Sequence, residues 1–162
     1  MGILLLTRGT LALTRGTFAR LWIAAAALCL ALQSQAWARE IVVVAGPGFP
    51  VESLTREDVR DIFLGEKAIL SGLRLRPMDL KDAGKVRLSF LKTFLKVSED
   101  GYQAYWIRKV FQDGGTPPTA LSSLEAAVQL LQADNAAVGF LWTEDAVKAA
   151  SLRILLKIQA ME

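Results

Sequence analysis

Five consecutive apolar residues, Ile41-Val42-Val43-Val44-Ala45, are closed off by the turn formers Gly46-Pro47-Gly48. A strand with one wet face alternates apolar and polar residues. An unbroken β-branched run stopped by a turn instead predicts a strand buried on both faces. Such a strand has to lie inside a sheet that other elements cover above and below.

The rest of the chain supplies those elements. Thr55 and Asp58 provide an N-cap and a charged first turn for a helix whose apolar face is Val59, Ile62 and Phe63, and Gly65 closes it. Leu73 to Met78 alternates as a strand, with Pro77 near its end or on an edge. A polar loop, Asp79 to Lys85, leads into a helix over Lys85 to Lys96 marked by Leu88, Leu91, Phe94 and Leu95. Ser98 caps the next helix, on which Tyr102, Tyr105, Trp106, Val110 and Phe111 form a broad apolar stripe; Asp113 to Pro118 is an exposed connection. Ser122 with Glu125 reads as a capping box before Leu124, Val128 and Leu131. Ala136–Trp142 reads as a strand, Thr143–Ala150 as a short helix and Leu152–Ile158 as a last strand. The pattern predicts an α/β domain, a single mostly parallel sheet flanked by helices.

Composition then removes whole classes of chemistry. The 162 residues contain no histidine and one cysteine. Cys29 lies in the N-terminal segment, so the body has no imidazole or thiolate for a metal, a catalytic triad or a disulfide, and no cofactor or metal is implied. The excess of basic residues comes from Arg8, Arg15 and Arg20, and from Arg39 onward cations and anions are equal in number. That balance leaves no footprint for nucleic acid. Residues 1–38 have the order of a secretory signal: basic residues up to Arg20, an apolar run from Leu21 to Leu32, and Ala36-Trp37-Ala38 as the cleavage site. The apolar run falls short of the roughly 20 residues that span a bilayer, and Leu28 before Cys29 does not fit a lipidation site. The expectation is an exported domain over 39–162, periplasmic or secreted, with no stable membrane anchor after cleavage.

Four motifs occur in order: Asp61-Ile62-Phe63-Leu64-Gly65, the strand end Pro77-Met78-Asp79, the Tyr105-Trp106 helix with Phe111, and Ala137-Val138-Gly139-Phe140. Together they resemble the phosphate ABC-transporter substrate-binding proteins, and in particular short proteins that carry about one lobe of the two-lobed type II periplasmic fold. The resemblance runs from about Ile41 to Trp142. It implies a phosphate held between two lobes and gripped by an Arg-Ser-Asp-Gly-Ser-Gly-Thr loop before a helix. The matching stretch, Asp79 to Lys85, keeps the glycine before the helix and has Asp in place of Arg. A buried carboxylate beside phosphate is unfavourable unless a cation offsets it, which argues against tight capture by the family mechanism.

The candidate ligand residues are Asp79, Lys81, Gly84, Lys85 and Arg87, at a carboxyl strand end and a helix start where free N–H groups attract anions. A solvated loop before a capped helix explains the same residues. Gly46 and Gly48 extend the candidate site if the first strand points to the same edge, although a plain turn also accounts for them. Tyr105 and Arg108 are candidate partner-surface residues, with a core role as the alternative for the aromatic stripe. Asp79 with Asp82, or Glu144 with Asp145, is the best carboxylate pair for a hydrolase, and neither sits in an evident apolar pocket that would make one of them a general acid. The sequence therefore predicts a non-enzymatic binding module that takes a small oxyanion such as phosphate weakly, or a periplasmic protein partner. The alternatives are a homodimeric phosphate or oxyanion receptor and a carboxylate-dependent hydrolase.

Overall fold

A computed structural model describes residues 39–81 and 84–160. The predicted signal segment, with Cys29, and Asp82 and Ala83 of the polar loop lie outside the described residues. The elements are β1 (Glu40–Ala45), α1 (Arg56–Phe63), β2 (Ile69–Leu70), β3 (Leu73–Arg74), β4 (Arg76–Leu80), α2 (Lys85–Phe90), α3 (Glu99–Asp113), β5 (Thr119–Leu121), α4 (Leu124–Ala133), β6 (Ala137–Trp142), α5 (Thr143–Lys148) and β7 (Arg153–Gln159). A π-helical turn, Leu91–Leu95, continues α2.

The main sheet has the order β5-β4-β6-β1-β7. β4 pairs in parallel with β5 and β6, while β1 runs antiparallel to β6 and β7. Four strands therefore share one direction and β1 alone is reversed, a mixed sheet of mostly parallel strands. Ile41 to Ala45 are all fully buried, as the uninterrupted run required. Successive residues of β6 point to opposite faces: Phe140 stacks on Phe90 at 4.0 Å between ring centroids, and Gly139 lies against Leu131 of α4. α2 and α4 thus cover opposite faces. Phe63 meets Phe90 edge-on at 4.7 Å and Phe94 lies 5.0 Å from Phe90, which ties α1, α2 and its π-helical extension into one aromatic core.

Local chemistry fixes the helix ends. Thr55 Oγ1 accepts from the Asp58 N–H at 3.1 Å while the Asp58 carboxylate accepts from the Thr55 N–H at 3.0 Å. Gly65 follows α1 at φ +69°, and a Cβ there would lie 2.7 Å from the Trp106 ring, so both backbone angle and space call for glycine. Ser98 caps α3 by accepting from Gly101 N–H.

Several boundaries differ from the sequence reading. The segment expected as one strand from Leu73 divides into the β2–β3 hairpin and β4, with Leu75 between them donating its N–H to Ala68 O at 2.8 Å. Pro77 is the second residue of β4, an interior strand. Part of the stretch after the Pro117-Pro118 turn forms β5, an edge strand paired with Met78–Leu80. The cap of α4 is Ser123 instead of Ser122. Leu88, expected on the inner face of α2, is half exposed, because Val86, Arg87 and Phe90 turn inward. On α3 only Tyr102 and Trp106 of the predicted stripe are buried, and Phe111 is 85% exposed.

Asp58 also accepts a bond from Lys67 Nζ, and this contact together with the Thr55 N–H holds its carboxyl at about 2, below the ordinary 3.8. A depressed carboxylate stabilises the fold above its unfolded pKa and loses that contribution as the pH falls toward 2. Stability measured by urea denaturation should fall between pH 4 and pH 2 more steeply in the wild type than in Asp58→Asn. Equal slopes would show that the cap carries no such linkage.

Candidate functional site

The carboxyl ends of β4 and β5 meet the side of α3 in a groove of about 630 Å³. Asp79, Lys81 and Arg87 line it, together with Glu99 and Tyr102 at the start of α3. β4 delivers Asp79 as its next-to-last residue, and α2 returns Arg87, its third residue, to the same place. Both side chains are buried, and they meet as a bidentate pair: Arg87 Nε to Asp79 Oδ1 at 2.8 Å and Nη2 to Oδ2 at 3.0 Å. Arg87 Nη1 donates to the Glu99 carboxylate. All three guanidinium nitrogens are therefore engaged by the protein's own carboxylates.

This arrangement decides the electrostatics. Asp79 raises the Arg87 pKa above its ordinary value, chiefly through the hydrogen bond, and fixes the guanidinium as a cation. Two carboxylates face one guanidinium, so the cluster presents no excess positive charge to an incoming anion. The Tyr102 hydroxyl beside it donates to Phe63 O at 3.0 Å, and burial pushes its pKa up, which keeps it neutral. The other carboxylates considered for hydrolysis also face cations on the surface, Glu144 with Arg39 at 3.6 Å and Asp145 with Lys148 at 3.3 Å.

The predicted residues divide between several places. Asp79, Lys81 and Arg87 share the groove wall, where Asp79 and Arg87 are partners of each other. Gly84 precedes α2 at φ +51° on the surface, and Lys85 lines a separate hollow with Arg39, Lys92 and Trp142. Gly46 and Gly48 lie at the other end of the sheet, because β1 is reversed: Ala45 sits beside Val138 at the start of β6. There a Cβ on Gly46 would fall 2.0 Å from Leu131 O, and one on Gly48 2.1 Å from the Asn135 side chain. Close packing explains both glycines. Tyr105 is half-buried, with its hydroxyl 2.7 Å from Leu64 O and accepting from Lys109 at 3.2 Å, while Arg108 is exposed.

Sequence reasoning left out Glu99 and Ile107, and it placed Val110 and Phe111 on one stripe with Tyr102 and Trp106. Ile107, Val110 and Phe111, at 54%, 40% and 85% exposure, form an outward apolar ridge on α3 beside Pro117 and Pro118. Spacing holds the signal, since Ile107 and Phe111 are four apart on a different side of the helix from Tyr102 and Trp106.

Removing Arg87 leaves Asp79 buried without its partner. Arg87→Ala is expected to cost about 3–5 kcal/mol in urea denaturation, as broken buried pairs do, whereas exposed Lys85→Ala should stay within about 0.5 kcal/mol. Similar small losses for both would mean that the pair does not organise the site.

Comparison with solved structures places the same fold in phosphate-binding proteins. An ABC-type phosphate transport receptor from Vibrio cholerae matches with a TM-score of 0.55 and 17% identity, over 72% of this chain and 45% of that one. PstS from Borrelia burgdorferi matches with a TM-score of 0.53 and 12% identity, over 72% of this chain and 46% of its own. The chain thus spans less than half the length of these structures, and at such identities the likeness is one of fold. No family model matches the chain, and no curated protein matches it in sequence.

Proposed function

We propose that the protein is an exported, non-enzymatic binding module that docks a protein partner at the carboxyl end of its sheet and does not capture phosphate tightly there. The observation that carries this reading is the closed circuit of Arg87 with Asp79 and Glu99. An anion would have to displace a bidentate carboxylate that the same chain supplies, and so competes against an intramolecular group at high effective concentration. What the groove offers instead is the ridge of Ile107, Val110 and Phe111 with Pro117 and Pro118. Aromatic and aliphatic side chains exposed together beside a rigid buried pair are the composition of an interface core. The partner's chemistry follows: a protein surface with an apolar knob, and no requirement for a phosphate.

The fold shared with phosphate receptors supports a binding role, and no helix among the described residues is long and apolar enough to cross a membrane. Export rests on the signal-like order of residues 1–38.

Titration calorimetry with inorganic phosphate and with sulfate tests the choice of ligand. The expected result is no saturable binding of either ion at micromolar concentration. Submicromolar phosphate affinity overturns the partner reading, and affinity coupled to dimer formation in sedimentation favours two copies sharing one cleft.

A further inference from the structure

A hollow of about 760 Å³ lies at the opposite end of the sheet from the Asp79–Arg87 groove, framed by the segment after α1, the start of β4, and the Gly114-Gly115-Thr116 loop that ends α3. Four cations stand in its wall, Lys67, Arg74, Arg76 and Lys109, against one carboxylate, Asp134. We infer that this hollow is a second binding site, for a small anion carrying two or more phosphate or carboxylate groups. The residues that carry the inference, Arg74 and Arg76, lie outside the groove, although Trp106 and Pro117 line both hollows.

The cations differ in how firmly they are held. Lys67 is bound to Asp58 at 2.5 Å and Lys109 to Glu66 at 2.6 Å, so the chain's own carboxylates offset both, and the charge open to a ligand is that of Arg74 and Arg76. Arg74 has no ion-pair partner among the described residues. Arg76 makes one contact, to Asp134 at 3.3 Å, with 69% of its side chain exposed. Exposed pairs of that kind are worth at most about 1 kcal/mol, so Arg76 is free to turn to a better acceptor. Alternation along the extended chain buries Leu75 and exposes Arg74 and Arg76 on one side, where two guanidinium groups can share one acidic group.

Trp106 forms a buried part of the wall. Leu73, Pro117 and the Trp106 ring supply the apolar part of the wall. Gly114, with φ +65°, turns the chain away from α3 and leaves the hollow open at that side.

The test is calorimetric titration of the full protein with pyrophosphate and with citrate, with inorganic phosphate as the single-group control. The expected result is saturable binding of at least one of the two multivalent probes, weakened at least about tenfold in the Arg74→Ala/Arg76→Ala double variant. Both arginines are exposed, so the double variant should keep its melting temperature, which separates lost binding from lost folding. Lys81→Ala, at the other end of the sheet, should bind as the wild type does. No binding of either multivalent probe, equal affinity for inorganic phosphate, or an unchanged affinity in the double variant overturns the inference.

Discussion

Arg87 and Asp79 meet inside the protein, at the one end of the sheet where an α/β fold of this kind ordinarily opens to a ligand. Taking two charges out of water is costly, and the pair is tolerable because it is bidentate and Glu99 occupies the remaining guanidinium nitrogen. The consequences spread from there. Arg87 must face inward, which rotates Leu88 to the surface and sets Val86 and Phe90 against the sheet. Glu99 ties the start of α3 to the same point, and Tyr102, one turn later, reaches Phe63 O at the end of α1. This one contact therefore ties three helices together.

The parts of this arrangement that were legible in the sequence are those with local causes. The Thr55 and Ser98 caps, the burial of Ile41–Ala45, and the glycine after α1 follow from side-chain chemistry within a few residues. The reversal of β1 was not legible, because a strand buried on both faces looks the same in either direction. That single reversal moves Gly46 and Gly48 to the far end of the sheet from Asp79. The inward turn of Arg87 was also hidden: its partner lies eight residues earlier across a loop, and periodicity alone favoured Leu88 as the buried residue. On α3 the aromatic and apolar residues belong to two stripes, one under the core and one outside, which a reading of hydrophobicity without direction merges into one.

In the groove, the charge of Arg87 is cancelled from within by Asp79 and Glu99. Cationic side chains gather instead around the starts of β4 and β6, where Arg74 and Arg76 are exposed. The two ends of the sheet thus offer different surfaces, an apolar ridge beside a neutralised pair and a hollow lined by the exposed Arg74 and Arg76.

The central claim is that Asp79 fills the place an anion would take at Arg87. Thermal unfolding of the wild type and of Asp79→Ser, each in phosphate and in chloride of matched ionic strength, tests it directly. A ligand that binds only the folded state raises the melting temperature in proportion to its occupancy. The account predicts that phosphate raises the melting temperature of Asp79→Ser and leaves that of the wild type at its chloride value. An equal rise in both proteins, or none in either, contradicts it.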